Sequence, residues 1–363
     1  MKSKVAILRT RPESVVEDVV KVMEMADLGG SLDKKATTIL KNNISWHLMY
    51  PGANTTPWQL EGAIKGLRKN GLGDLVCVEN ETVVTSARKG EILNKQRPVC
   101  EHYNVPIKYN FKATDMKWQV YQPKSEMLVL DKIFPDGICI PDYFMGKNIV
   151  HLPTAKCHIY TNITGAMKNA FGGLLSNRRH YCHSQIHKTL VDLLAIQKEI
   201  HTGIFTVMDA TTAGNGPGPR TMIPVAKNML LASSDSVAID ATAAKLMGFE
   251  PMDHEFIRLA HQRGLGVGQT DDIEIVGDVD LKKENWSFKT GNNAASSVGK
   301  VFWFGPMRGL ERLMFHTPIV YGFIFASAVY HDHIWYPFKG KKAVNEWLEN
   351  SPWGKLFKNY SAG

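Results

Sequence analysis

The sequence predicts an α/β protein: a mainly parallel sheet with crossover helices, plus a helical, aromatic-rich C-terminal appendage. Three observations predict it. Short apolar runs alternate with stretches of helical period, which is the pattern of strands joined by crossover helices. Glycine-bearing polar segments follow several of the runs. From Asn285 onward the chain turns aromatic, with Trp286, Trp303, Phe315, Phe323, Trp335, Trp347 and Trp353 and little strand-like alternation.

Taken in order, Val5 to Arg9 reads as a buried strand. A helix follows, with Pro12 near its start and Val15, Val16, Val19, Val20 and Met23 on one face. Ile39 to Ser45 is strand-like and leads into a turn-rich loop, Pro51 to Pro57. Thr56, Pro57 and Gln59 make a helix start: an N-cap, a proline at the first helical position and a capping-box glutamine. Gly71 closes that helix, and Leu75 to Val78 is the next strand. Residues 94–137 lose periodicity and read as an irregular insertion. Asn148 to Leu152 is again a strand, and Gly165 to Leu175 a helix. A longer helix is expected from His183 to Thr202, stopped by Gly203. Ile204 to Met208 is a strand ending at Asp209, and Asn228 to Ala232 another. Helices follow at Asp235 to Met247 and Glu255 to Gln262, and Ile273 to Val276 is the last strand. The expected divisions are 1–147, 148–284 carrying the site, and the appendage 285–363.

Composition limits the function classes. With 44% hydrophobic and 21% charged residues, the 363-residue chain is long and apolar enough to bury a core and is not a disordered chain. A net charge of +8 favours anionic partners. The excess is spread along the chain, which ranks small anions above nucleic acid. Five scattered cysteines form no Cys-x-x-Cys pair, so neither a zinc ribbon nor an iron–sulfur cluster is expected. Reduced thiols point to the cytoplasm. Val5 to Leu8 is too short for a signal peptide, and no apolar segment has spanning length.

Two stretches are the best candidates for chemistry. The first runs from Asp209 through GNGPGP (214–219) to Arg220. As a stiff loop beyond a strand end, Gly214, Asn215, Gly216 and Gly218 would present backbone amides to an anion, with Arg220 supplying charge. Its glycine spacing is neither the dinucleotide fingerprint nor a P-loop. A rigid structural turn is the plainer reading. The second runs from His151 to Asn169. Lys156 and His158 lie two apart, Thr164 and Gly165 begin a helix whose N-terminus suits an anion, and Lys168 follows one turn later. A lysine among other cations can act as a base, and a histidine can move protons near neutrality. The plainer reading is electrostatic anchoring.

His183 and His187, four apart on an expected helix, have a spacing that admits a divalent metal, although no carboxylate completes the set. Arg308, Arg312, Lys339, Lys341 and Lys342 bracket an apolar stretch, Phe315 to Trp335, that could lie on an anionic membrane surface or a protein partner; packing on the protein's own body or a homo-oligomer interface is the plainer reading.

Several of these motifs together resemble the family known as domain of unknown function 362. They are the Pro51 to Thr56 loop, LPTAKCH (152–158), TGAMKNAFGG (164–173), GNGPGP (214–219), SSDSVAIDATAAKLMGF (233–249), and GLGVG (264–268) with DIEIVG (272–277). The resemblance spans Val5 to Asp278. It implies a site containing Lys156, His158, Lys168, Asn169, Asp209 and Asp240, with Asn54 and Thr55 in the matching early loop. It assigns no activity. The cysteine-cluster segment of many members has no counterpart here. The expectation is an enzyme acting on a small carboxylate or phosphate by isomerase, lyase or redox chemistry, with Lys156, His158 and Asp209 as acid–base groups. The alternative is a non-catalytic metal- or cofactor-binding protein docked through its tail.

Overall fold

The computed structural model describes residues 3–80 and 84–363. Its strands are β1 (Ser3–Arg9), β2 (Thr38–Asn42), β3 (Leu75–Glu79), β4 (Ile107–Tyr109), β5 (Trp118–Tyr121), β6 (Ile138–Pro141), β7 (Lys147–Leu152), β8 (Thr154–His158), β9 (Asn162–Ile163), β10 (His201–Asn215), β11 (Ile223–Ser233) and β12 (Ile273–Gly277). One sheet runs β12-β1-β11-β10-β7-β2-β3-β4, with β8 and β9 attached beside β10. The neighbours β2, β3, β4, β7, β8 and β10 pair in parallel. Only β11 runs against its neighbours β1 and β10 within the main path.

Alternation along the strands builds a core on each face of this sheet. Ile7, Ile39, Val78, Ile149, Met208 and Leu231 face one core, closed by helices Ile186–Ile200, Ser236–Met247 and Glu255–Gln262. Leu8, Leu40, Cys77, Val150, Val207 and Leu230 face the other, closed by helices Val15–Met25 and Pro57–Lys69. The chain is therefore a three-layer α/β/α sandwich.

The helix Pro57–Lys69 begins as expected, with both halves of the capping box on Thr56 and Gln59. Residues 94–137, read as an insertion, supply the edge strand β4. The region after Asn285 is helical, as expected. Its end is part of the core: Trp353 packs on Trp58 at 5.6 Å and donates its indole N–H to Asn228 Oδ1 at 2.7 Å. No helix among the described residues is long and apolar enough to cross a membrane.

Three local expectations need correcting. β10 does not end at Asp209 but continues to Asn215, because β11 pairs with it along that length. The stretch after the Asn148 to Leu152 strand, for which no further strand was expected, adds one: most of LPTAKCH is β8, laid beside β10 so that Lys156 pairs with Gly214. The stretch 177–185 is 3-10 helix started by the Ser176 hydroxyl, and the α-helix begins only at Ile186.

A buried cationic site at the strand ends

β8 carries Lys156 and His158 into the interior. Lys156 is fully buried, and its ammonium donates to Asn43 Oδ1 at 2.6 Å and Thr154 Oγ1 at 2.5 Å. Burial pushes this amine well below its ordinary range; Lys168 adds to the effect and Asp209 opposes it. His158 is buried beside it. Its Nδ1 lies 3.2 Å from the Tyr160 backbone nitrogen and 3.1 Å from Thr161 Oγ1. Burial again dominates, with the charges of Lys168, His183, Lys156 and His187 also holding the ring neutral.

Lys168 sits in the short helix Gly165–Asn169. Its ammonium lies 5.7 Å from the Phe171 ring and makes no hydrogen bond or ion pair among the described residues. Burial, reinforced by Arg179, pulls it down to about 8. Two further cations join this group that sequence reasoning missed. Lys41, buried in β2, donates to the Asn42 carbonyl at 2.6 Å, and Arg179 donates to the Gly172 and Leu175 carbonyls. Burial lowers Lys41, and Arg179 acts on it in the same direction. A lysine directly after Ile39 and Leu40 in a strand-like segment was the signal in the sequence for Lys41, because a buried charge needs a reason.

Among the described residues, two carboxyl groups act on these lysines: Glu79 on Lys41 and Asp209 on Lys156. Glu79, beside Lys41, is pushed up to about 7 by burial. Asp209 is occupied: it accepts from Thr56 Oγ1 at 2.5 Å, Trp58 Nε1 at 2.9 Å and the Thr211 N–H at 2.6 Å. Burial raises its carboxyl while these donors pull it down.

The backbone N–H groups at the helix start after Thr164 and Gly165 are taken by a carboxyl of the chain itself. Asp240, reaching from helix Ser236–Met247, accepts the Ala166 and Met167 N–H groups at 2.6 and 3.0 Å. The protein fills this N-terminus with its own carboxyl, pushed up to about 7 by burial. Gly165 is required there: its φ is +73°, and a Cβ would stand 2.2 Å from Asp240 Oδ1. Gly165→Ala should therefore destabilise the fold by roughly 2 kcal/mol or more. Urea denaturation checks this, and an unchanged midpoint would contradict the packing argument.

The glycine loop is likewise structural in its contacts. A Cβ on Gly218 would lie 2.0 Å from the Cys157 carbonyl oxygen, and one on Gly214 would lie 2.4 Å from Met222 Sδ. These glycines let the loop close on β8. Gly216 supplies a positive φ of +104°, and Asn215 Oδ1 accepts the Lys289 N–H. Arg220 does not join Lys156 and His158. Its charge acts on His47 and His331, with Asp332 opposite, and burial pulls it down to about 10. Asn169 donates to the Lys41 carbonyl and to His151 Nδ1. Asn54 and Thr55 organise the early loop: Asn54 accepts the Ser45 and Trp46 N–H groups, and Thr55 donates to the Leu152 carbonyl.

His183 and His187 are not one helical turn apart on an α-helix, since the helix starts between them. The His183 ring stacks on Trp303 at 4.6 Å and that of His187 on Phe256 at 5.8 Å. Among the described residues no group of three or more His, Cys, Asp or Glu could hold a metal ion. Tyr160 and Trp303, a contact pair at 5.2 Å, wall the cluster on the side of the tail. Neither was singled out for the site beforehand, because their role depends on contacts distant in sequence.

Fold and side chains together define an α/β sandwich with a buried cluster of cationic and histidine side chains beside its parallel strands. A family model described as Domain of unknown function (DUF362) matches residues 38–245, more than half of the chain, and the protein belongs to that family. The matched span contains β2 to β11 and each of Lys41, Lys156, His158, Lys168 and Arg179. No curated protein and no solved structure matches the chain.

Proposed function

We propose that the protein is an enzyme that binds a small carboxylate or phosphate against Lys168 and the adjoining Lys156 and His158. The observation that carries this reading is the Lys168 ammonium, half-buried among Lys156, Arg179 and His158 and lacking a hydrogen bond or ion pair among the described residues. A desolvated cation without a counter-charge is costly, and an anionic ligand supplies the missing charge. An amine near 8 and a neutral imidazole can exchange protons with a bound substrate at cellular pH. Isomerase, lyase or redox-type chemistry would use such groups, and the cytoplasm is the compartment that fits five free thiols.

The test is calorimetric titration of the protein with a panel of small phosphates and carboxylates, repeated on Lys168→Met. Binding by the wild type, weakened about 10- to 100-fold in the variant, is the expected result for loss of a charged hydrogen bond. Equal affinity in both proteins, or no binding by any member of the panel, would remove this reading.

A further inference from the structure

The tail presents an apolar surface that the rest of the chain does not cover. Among the described residues, ten of the sixteen exposed large hydrophobic side chains fall between Val301 and Phe338, so the exposure is concentrated rather than scattered. Helix Val320–Ala328 is apolar all round, yet only Val320 is buried. A helix of that composition belongs in a core or in lipid. Phe325 is 71% exposed, Tyr321 66% and Phe338 79%.

Its orientation is fixed by an inner aromatic layer. Phe323 packs on Phe302 at 5.7 Å and on Phe315 at 5.2 Å, and Phe315 packs on Trp303, which stacks on His183 of the body. One side of the segment is thus anchored, and Tyr321 and Phe325 remain outside.

Charge decides what covers them. Residues 300–342 contain six Lys and Arg against two Asp and Glu. One of the two acids, Asp332, is turned inward, accepting the Trp46 indole N–H and standing 3.4 Å from His47. Arg308, Lys339, Lys341 and Lys342 are exposed. A second copy docking through the same patch would set these cations against their own counterparts, which opposes a two-fold interface. An anionic bilayer meets both features: its acyl boundary receives the apolar side chains, and its headgroups receive the basic ones. We infer that residues 301–342 dock the protein on the surface of an anionic membrane, with Tyr321, Phe325 and Phe338 entering the interface and Lys339, Lys341 and Lys342 on the headgroups. This inference does not depend on the proposed chemistry.

The experiment is sedimentation of the full chain with vesicles of phosphatidylcholine alone or mixed equally with phosphatidylglycerol. The expected result is binding at least about tenfold tighter to the anionic vesicles, reversed by high salt. The exposed triple variant K339E/K341E/K342E should lose most of that preference, and Y321S/F325D should lose binding while retaining its circular dichroism spectrum. Equal binding to both vesicle types, no binding to either, or a concentration-dependent dimer abolished by Y321S/F325D would overturn the inference. The last of these would make the face a contact between copies.

Discussion

Lys168→Met should stabilise the free protein at neutral pH while weakening its hold on anions. The two effects have opposite signs for one reason. The ammonium is drawn from its ordinary 10.5 down to about 8, so the folded state binds it less willingly in charged form than the unfolded chain does. A shift of that size corresponds to a penalty of up to about 3 kcal/mol below pH 8. Because the folded value is depressed, this penalty is present in full below about 8 and fades as pH rises toward 10.5. Methionine of similar length removes it. The stability advantage of the variant should therefore be largest near pH 7 and shrink toward pH 9.5. The comparison has to be a difference between the two proteins. The thiols of Cys157 and Cys182 are pushed up to about 11 and about 12, and their contribution falls as pH rises past the ordinary thiol value. That contribution is common to both proteins and cancels. Urea denaturation at several pH values measures the difference; a gap that stays constant from pH 7 to 9.5 would mean that the amine is not desolvated. Added phosphate should protect the wild type more at pH 7 than at pH 9.5, and protect the variant at neither.

The legibility of this fold in the sequence followed the locality of its causes. The start of helix Pro57–Lys69 was readable because Thr56, Pro57 and Gln59 bond within four residues. β1, β3 and β7 were readable as apolar runs because both their faces are buried. β8 was not, since Thr154, Lys156 and His158 are polar and only the partner strand β10 makes a strand of them. The extension of β10 past Asp209 was hidden for the same reason: Thr211, Thr212 and Gly214 have weak preferences of their own, and β11 decides. Lys156, His158 and Lys168 were grouped by their spacing, and the fold brings them near one another. Arg220 was misplaced because the direction of its side chain depends on the tail, whose Asp332 faces it. Where an anion was expected at Gly165, the adjacent Ala166 N–H is taken by Asp240, 74 residues further along the chain.

Asp209→Ala should be among the most destabilising single changes in the chain, and this distinguishes two roles for the residue. A buried carboxylate serving only as an acid–base group could be removed with little effect on folding. Asp209 instead joins three parts of the structure. Through Thr56 it fixes the cap of helix Pro57–Lys69; through Trp58 it holds the helix's first turn against the sheet; through the Thr211 N–H it shapes the irregularity in β10 between Ala210 and Thr212. Alanine leaves all three donors buried without an acceptor, at about 1–3 kcal/mol for each that finds no water. A net loss of about 3–5 kcal/mol is expected, in line with removing one partner from a buried charged network. Asp209→Asn keeps the shape but turns an amide N–H₂ toward at least one donor, so it should recover only part of the loss. A catalytic role would show the reverse ordering: both variants folded with near-wild-type denaturation midpoints, and both equally inactive. Denaturation midpoints of the two variants therefore decide between the roles before any substrate is known. A midpoint for Asp209→Ala within error of the wild type would return Asp209 to the acid–base groups beside Lys156 and His158.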